Sequence, residues 1–241
     1  MQDNIKIGTA GWSIPAKAAD AFHGEGTHLE RYALCFTAVE INSSFYRPHR
    51  SSTYARWAAS VPPHFRFAVK IPREITHICK LVDVVEPLER FLYEIQALGN
   101  TLGPLLGQLP SSHQYEAGSV EPFFQALRVR FAGDVVCEPR HFSWFAHAAD
   151  RLLVKFQIAR VAADPALAPP AAAPGGWSGI VYRRLHGSPK MYYSAYSETE
   201  LEATAAVIRE TAKHTRENWC IFDNTALGEA CQNALSLSQR L

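Results

Sequence analysis

Short apolar segments recur along the chain, and segments with helical periodicity lie between most of them. Runs that are rich in β-branched and aromatic residues and bounded by glycine or proline are typical of strands. The pattern predicts eight strands, at residues 5–8, 38–42, 65–71, 102–109, 135–138, 159–164, 179–187 and 219–224. Strands that alternate with helices in this way indicate an α/β fold with parallel strands.

Apolar residues at a spacing of 3.6 residues predict a helix after most of these strands. Ser197 and Glu200 form a capping-box motif, which predicts a helix that runs to about residue 214. Pro122 is placed at the start of another helix, because proline fits the first helical turn. The predicted helices cover residues 28–36, 51–58, 87–98, 122–127, 148–156, 198–214 and 227–237.

Eight strand–helix units of roughly 30 residues each are typical of a single (β/α)8 TIM barrel, here predicted to occupy residues 1–241. One unit departs from the pattern. Residues 165–176 contain four prolines, two glycines and five alanines without periodicity, so we expect a loop in place of helix six. A doubly wound sheet is the alternative, but no glycine-rich phosphate-binding motif follows the first strand.

Composition limits the classes of partner. The chain has 24 basic and 23 acidic residues, a net charge of +1, so no overall field attracts nucleic acid or membranes. No apolar run approaches the roughly 20 residues that span a bilayer, and the N-terminus lacks a signal-peptide pattern. The five cysteines are scattered without a C-x-x-C pair, which is typical of a reducing compartment. We therefore expect a cytoplasmic protein that does not bind membranes.

The fifth predicted strand carries the clearest chemical signal. Residues 135–141 begin as an apolar run and end in Glu138, Pro139, Arg140 and His141. Alternation places Glu138 and Arg140 on the same face as the apolar residue 136, as expected where a barrel strand reaches an active site. The alternative is a structural ion pair between the two side chains.

Similar polar side chains end the other strands, and barrel active sites lie at the carboxyl ends of the strands. We expect Lys70, Glu138 and His186 to be catalytic: an amine base or nucleophile, an acid or base, and a proton carrier. The alternatives are a Lys70–Glu40 ion pair, a buried core histidine, and a salt-bridge network that closes the barrel mouth. The residues predicted to bind substrate are Trp12, Glu40, Asn42, Tyr46, Gln108, Arg140, Asp164, Arg184, Asp223 and Asn224, with Trp12 and Tyr46 as stacking rings.

A metal site is not predicted. Glu138, Asp164, His186 and Asp223 are residue types that bind metals, but the lysine and arginines among them would repel a divalent ion. The sequence identifies no cofactor.

Several motifs together resemble the DUF72 family, also called YecE-like, a group of TIM-barrel proteins without an established biochemical function. They lie at residues 7–12, 39–46, 65–72, 75–77, 138–141, 143–144, 182–187 and 222–225 and so extend over nearly the whole chain. The resemblance implies the barrel fold and supplies no reaction. Asp223 departs from the family pattern, because many members carry asparagine there.

Two functions are expected from these features. The first is an enzyme that acts by acid/base chemistry on a small anionic or polyhydroxylated substrate, such as a phosphoester or sugar derivative. The second is a non-catalytic protein that binds nucleic acid or another phosphate ligand. It rests on the basic, aromatic loop at residues 45–50, whose arginines can contact phosphates and whose rings can stack on bases.

Overall fold

The computed structural model describes residues 4–241. The strands are β1 (Ile5–Thr9), β2 (Ala38–Ile41), β3 (Arg66–Lys70), β4 (Leu102–Gln108), β5 (Val135–Glu138), β6 (Ile158–Arg160), β7 (Ala162–Asp164), β8 (Gly175–Gly176), β9 (Ile180–Leu185) and β10 (Glu217–Phe222). The α-helices are α1 (His28–Cys35), α2 (Ser51–Ala59), α3 (Val85–Ile95), α4 (Ala117–Arg130), α5 (His147–Lys155), α6 (Glu198–Ala212) and α7 (Glu229–Ser238). The fold is mixed α/β, as the periodicity predicts.

The strands form two sheets in which almost all neighbours are parallel. One sheet has the order β1-β10-β9-β7, and the other has the order β2-β3-β4-β5-β6-β8. The short strand β8 is the exception, because it pairs with β6 in the antiparallel direction. All strands of a parallel sheet end at the same edge, so the polar residues at their carboxyl ends are brought together.

The edges of the two sheets touch at two places. Where β1 meets β2, the Gly11 N–H donates to the Glu40 carbonyl at 2.8 Å. Where β6 is followed by β7, the Val161 N–H donates to the Cys137 carbonyl at 2.8 Å, and Ala162 is already in register with Arg183 of β9. The sixth predicted strand is therefore divided at Val161, with one half in each sheet.

Apolar side chains form two separate layers on the two faces of the strands. The larger layer contains residues of the α-helices and the strand side chains that face them, such as Val135 and Cys137. The smaller layer contains Val136, Tyr182, Trp219 and other strand residues from the opposite face. This separation follows from the alternation of side chains along a strand, and it defines which face carries the site.

The segment between β7 and β9, all of which is described, contains no α-helix. It consists of a 3-10 helix at Pro169–Ala172 and the short strand β8. Arg160 of β6 stabilises this segment, because its guanidinium donates a hydrogen bond to the Pro170 carbonyl at 2.7 Å. Proline-rich chain of this kind cannot supply the N–H groups that a continuous helix needs.

The prediction for Pro122 was wrong. Helix α4 begins five residues earlier, at Ala117, and Pro122 lies inside it. A proline removes only one backbone donor, and the first turn is already supported by Ser119 and Val120, whose N–H groups donate to the Glu116 carbonyl. Within residues 4–241, no helix is both long and apolar enough to cross a membrane.

Candidate functional site

Arg184 of β9 is the centre of a buried ion network at the carboxyl ends of the strands. Its Nη2 and Nε atoms donate to the two carboxylate oxygens of Glu40, at 2.7 and 3.0 Å. Its Nη1 donates to Glu138 at 2.7 Å, and Nη2 also donates to Asp223 at 2.9 Å. Arg184 and Glu40 have no exposed surface, and Glu138 has 1%. One guanidinium thus joins side chains from β2, β5 and the end of β10.

The charges of this network hold each other ionised. Burial alone would raise the pKa of the Glu138 carboxyl, but Arg184, His186 and Arg140 together hold that pKa well below its usual range. The same balance of burial against Arg184 and His186 lowers the pKa of Asp223. For Arg184, burial is outweighed by the carboxylates, and its pKa is raised. Such a network keeps a fixed charge pattern at neutral pH.

His186 connects two of the carboxylates. Its Nε2 lies 3.0 Å from Glu138 Oε1, and its Nδ1 lies 3.0 Å from Asp223 Oδ2. Burial opposes a charge on the ring, but the charge of Glu138 and the hydrogen bonds to both carboxylates raise the pKa of His186. Arg140, which donates to Glu138 at 2.7 Å, covers the outer side of this pair. Because both ring nitrogens are engaged, His186 holds the carboxylates in position.

Lys70 stands apart from the network, although it lies at the end of β3 on the same face. It is 5% exposed, and its amine forms no hydrogen bond or ion pair with any side chain in the described part of the chain. The amine instead lies 4.3 Å from the centre of the Phe45 ring. Burial, together with the charge of Arg184, lowers the pKa of Lys70 to about 8. The alternative of a Lys70–Glu40 ion pair is not met, because Glu40 is occupied by Arg184.

A cavity of about 410 Å³ lies above these residues. Its wall combines strand-end side chains with residues of the following loops, namely Asn42, Phe45, Tyr46, Lys70, Arg73, His77, Gln108, Tyr192, Asp223 and Thr225. Glu138, Arg140, Arg184 and His186 are not among its lining residues and lie beneath or beside it. The cavity therefore has a polar lining, and next to it lies the ion network, whose carboxylates are already paired with cations.

Two polar atoms on this wall have no hydrogen-bond partner in the described part of the chain. The Asn42 Oδ1 atom is buried and has no hydrogen-bond partner among residues 4–241. Within the same range, both partners of the Asp223 carboxylate contact Oδ2, which leaves Oδ1 uncommitted. Gln108 donates from Nε2 to Glu138 at 3.2 Å. A buried polar atom without a partner costs free energy, so Asn42 Oδ1 marks a position where a ligand would be stabilised. Asp223 Oδ1 offers a second acceptor on the same wall.

Two polar residues predicted for the site lie elsewhere. The Asp164 carboxylate accepts a hydrogen bond from the Tyr196 hydroxyl at 2.6 Å and lines a different cavity, of about 310 Å³, against α6. Residues 159 and 161, just before β7, face the interior, and continued alternation turns residue 164 to the opposite face of the sheet. Asn224 also points away from the cavity, because its side-chain amide donates to Ser194 and Asn233. Of the two neighbours, Asp223 is the one that lies in the site.

The two predicted stacking rings have different positions. Trp12 packs edge-on against Trp57, with ring centres 4.9 Å apart, and contributes to the core beside α2. Tyr46 lines the cavity and is 75% exposed. Of this pair, only Tyr46 is placed to contact a ligand.

Five of the cavity residues were not predicted for the site, namely Phe45, Arg73, His77, Tyr192 and Thr225. Arg73 and His77 belong to the turn after β3, where residues 74–78 form a π-helix, and Tyr192 reaches the cavity from the loop after β9. Tyr192 packs edge-on against His186, with ring centres 5.7 Å apart. Strand alternation cannot identify such residues, because loop side chains do not follow a period. Arg73 and His77 had one signal, which was their position just past a predicted strand end.

In residues 4–241, no group of three or more histidine, cysteine, aspartate or glutamate side chains is arranged to hold a metal ion. The carboxylates that converge here are instead bridged by Arg184.

The family model described as "Protein of unknown function DUF72" matches residues 6–241. The chain belongs to the DUF72 family. It is 30% identical over 143 residues to the UPF0759 protein YecE of Escherichia coli K12, a match that covers 59% of this chain and 50% of YecE. The chain thus spans about half the length of the curated relatives it matches.

Two solved DUF72 structures share the fold. A DUF72 family protein from Enterococcus faecalis has a TM-score of 0.82 at 21% identity, with 98% of this chain and 95% of that chain covered. A DUF72 family protein from Thermotoga maritima has a TM-score of 0.80 at 24% identity, with 98% of each chain covered. Likeness at these identities concerns the fold, so the function must be argued from the site.

Proposed function

We propose that this DUF72 protein is an enzyme that acts by acid/base chemistry on a small anionic or polyhydroxylated substrate in the 410 Å³ cavity. One observation carries the proposal: the buried amine of Lys70 faces this cavity and has no ion-pair partner among the described residues. A lysine at the surface gains solvation, and a structural buried lysine gains a carboxylate. Lys70 is largely withdrawn from solvent and has no carboxylate partner among the described residues, so an anionic group of a ligand in the cavity would supply the missing interaction.

The charge distribution favours an anionic or polyhydroxylated substrate. Lys70, Arg73 and the acidic Asp223 all line the cavity. An anionic group such as a phosphate or carboxylate would be stabilised near the two cations. Hydroxyl groups of the substrate would find acceptors in Asn42 Oδ1 and Asp223 Oδ1, the atoms that lack partners.

The proposed roles divide the predicted catalytic residues into two groups. Lys70 transfers protons, because its pKa of about 8 lets it gain or lose a proton near neutral pH. Glu138 and His186, the other predicted catalytic residues, are held in the network below and orient Asp223 and Arg140. Direct proton transfer by Glu138 stays a prediction, which Glu138→Gln tests.

The fold proposal concerns how the two sheets join. We infer that they are two parts of one closed (β/α)8 barrel that forms a single domain, with residues 165–176 in the place of helix six. The hydrogen bond of Gly11 across the β1–β2 edge supports closure, as does the direct passage of the chain from β6 in one sheet through Val161 to β7 in the other. So does Arg184, which contacts carboxylates from both sheets.

The experiment is a binding and turnover screen with phosphorylated sugars, small carboxylic acids and phosphoesters. Compounds that raise the melting temperature are followed by calorimetry and by detection of product. We expect binding to the parent protein and its loss in Lys70→Met. The exposed Lys213, paired with Glu210 on the surface, supplies the control variant Lys213→Met. Turnover that persists in Lys70→Met and in Glu138→Gln would exclude this site.

A second candidate is the binding of nucleic acid or another phosphate-rich ligand. The observation in its favour is the rim next to the cavity, where Tyr46 is 75% exposed and Arg47 and Arg50 are exposed. His49 of the same loop is held inward by Ser43 at 2.8 Å and by the Trp57 ring. A gel shift with single- and double-stranded DNA at low salt tests this. Binding should weaken steeply with salt and weaken further in the Arg47→Ala, Arg50→Ala double variant, whereas no shift at low salt excludes it.

A further inference from the structure

Lys70 differs from every other charged group that meets at the strand ends. Glu40, Glu138 and Asp223 all bind Arg184, and the last two also bind His186. The three carboxylates are therefore committed to other cations. The Lys70 amine, in contrast, forms no ion pair or hydrogen bond within residues 4–241. An amine held by a carboxylate is kept protonated and blocked, whereas this one is open to the cavity.

The surroundings of the amine favour reaction at nitrogen. The Phe45 ring covers one side of it at 4.3 Å, which excludes water there and fixes the direction of approach from the cavity. A ring face attracts an ammonium ion, whereas burial and the charge of Arg184 lower the pKa of Lys70 to about 8. A substantial fraction of the amine is then neutral in a slightly alkaline medium, and only the neutral form is nucleophilic.

We propose that Lys70 is a nucleophile that forms a Schiff base with the carbonyl group of a small anionic aldehyde or ketone. The inference rests on the proposed function and names its substrate class. The carbonyl carbon would lie at Nζ in the cavity, and the anionic group of the same molecule would lie toward Arg73 at the rim.

The reaction balances without any other reagent. The Lys70 ammonium gives up a proton, and the nitrogen lone pair forms a C–N bond to the carbonyl carbon while the carbonyl oxygen takes up a proton. A second proton then passes from the nitrogen of this carbinolamine to its hydroxyl group, the C–O bond breaks, and the oxygen leaves as water. One ammonium and one carbonyl thus give one iminium ion and one water, with no change in charge and no oxidation. The iminium faces the cavity that Asp223 also lines, and the free Oδ1 of that carboxylate would stabilise the positive charge.

The test is reductive trapping followed by mass spectrometry. The full chain is incubated with pyruvate, dihydroxyacetone phosphate or glyceraldehyde 3-phosphate and then treated with sodium cyanoborohydride. We expect a mass increase equal to the carbonyl compound minus one oxygen atom, located by peptide analysis at Lys70. The rate of trapping should rise as the pH approaches 8, because the neutral amine is the attacking form. Lys70→Arg keeps the positive charge and should lose the adduct.

Lys190 provides a matched control. Its amine also lies against an aromatic ring, 4.1 Å from the centre of Tyr193, but the residue is exposed. Lys190→Arg should therefore leave the adduct unchanged. Circular dichroism of both variants confirms that they are folded.

Calorimetry with the same three compounds separates the two proposals. Binding that is lost in Lys70→Met, without any trapped adduct in the parent, would overturn the Schiff base and leave the proposed acid/base function standing. Equal labelling of Lys70 and exposed lysines would also overturn the Schiff base, because it would show random surface chemistry. An adduct confined to Lys70 supports both proposals.

Discussion

At the residue scale, the site depends on how one buried arginine is shared. Arg184 uses four hydrogen bonds to satisfy Glu40, Glu138 and Asp223. Tyr182, from the same strand, adds a further donor to Glu40 at 2.9 Å. Removing one member of such a set leaves buried charge without compensation, and this is where the free energy of unfolding is most sensitive.

Replacing Arg184 by methionine should therefore be strongly destabilising. Three carboxylates would lose their shared cation, so we expect a loss of about 3–5 kcal/mol, the range measured when a buried ion pair is broken. Urea unfolding at pH 7 measures it. The control is Arg90→Met, whose partner Glu74 is half exposed and whose pair should contribute less than about 1 kcal/mol. Similar effects of the two variants would contradict a network held together by Arg184.

Lys70→Met should have the opposite effect. The folded-state pKa of Lys70 is about 8, below its ordinary value of 10.5, so folding must bury a charged amine at neutral pH. We expect the methionine variant to be more stable at pH 7 by about 1–3 kcal/mol. As the pH rises from 8 toward 10.5, the folded parent protein releases this proton before the unfolded chain does. The parent therefore gains stability, and the difference in free energy of unfolding between the two proteins narrows. Unfolding experiments between pH 7 and 10 measure the gain at pH 7 and its decrease at higher pH. A large loss of stability in Lys70→Met would show that Lys70 forms a stabilising ion pair instead.

At the element scale, the loop after β9 determines how the cavity is closed. Gly187 follows His186 and adopts a left-handed backbone with φ of 94°. A Cβ atom there would lie 2.8 Å from the Ser194 carbonyl oxygen, so the loop can turn back over the site only with glycine. The Tyr192 N–H donates to the His186 carbonyl at 2.5 Å. This bond holds the Tyr192 ring over the ion network of Arg184.

Gly187→Ala should therefore disturb both stability and the cavity. We expect a loss of about 1–3 kcal/mol from the strained backbone and weaker binding of any cavity ligand, because Tyr192 would shift. Gly118→Ala is the control, since Gly118 lies in α4 with open space around it. That change should stabilise the protein by about 0.4–1 kcal/mol. Thermal unfolding and calorimetry measure these effects, and a neutral Gly187→Ala would show that the loop position does not depend on glycine.

At the scale of the whole molecule, the contact between β1 and β2 determines whether the two sheets behave as one. The hydroxyl of Tyr32, on α1, lies between these strands. It accepts a hydrogen bond from the Thr9 N–H at 2.8 Å and donates to the Ala38 carbonyl at 3.1 Å. The ring is fully buried. A helix side chain thus supplies the bridge where strand-to-strand hydrogen bonds are few.

Tyr32→Phe should weaken this contact. The Thr9 N–H and the Ala38 carbonyl would each lose a buried partner, so we expect a loss of about 1–3 kcal/mol. Hydrogen exchange at the Thr9 and Gly11 amides should accelerate more than exchange in β4 and β5. Tyr93→Phe, at a ring that is 68% exposed, should change stability by less than about 0.5 kcal/mol. Uniform exchange across all strands in Tyr32→Phe would contradict a special role for this contact.

The sequence by itself determined the elements and the facing of most strand residues. The bounds of most strands and helices agree with the periodicity, because each element must bury one face locally. Alternation correctly placed Lys70, Glu138 and Arg184 on one face. It was misapplied at Asp164, one residue out of phase with the interior positions 159 and 161.

The tertiary structure decided which of these side chains are paired. The residues that meet at Arg184 lie as far apart in the chain as Glu40 and Asp223, and no local pattern specifies which acid an arginine will reach. The same contacts leave the Lys70 amine without an ionic partner in the described residues, since its neighbours are already neutralised. Loop residues such as Arg73 and Tyr192 complete the cavity, and their positions follow from turns that have no periodicity. The sequence therefore fixes which chemical groups face the interior, and packing of distant strands decides which of them remain free to react.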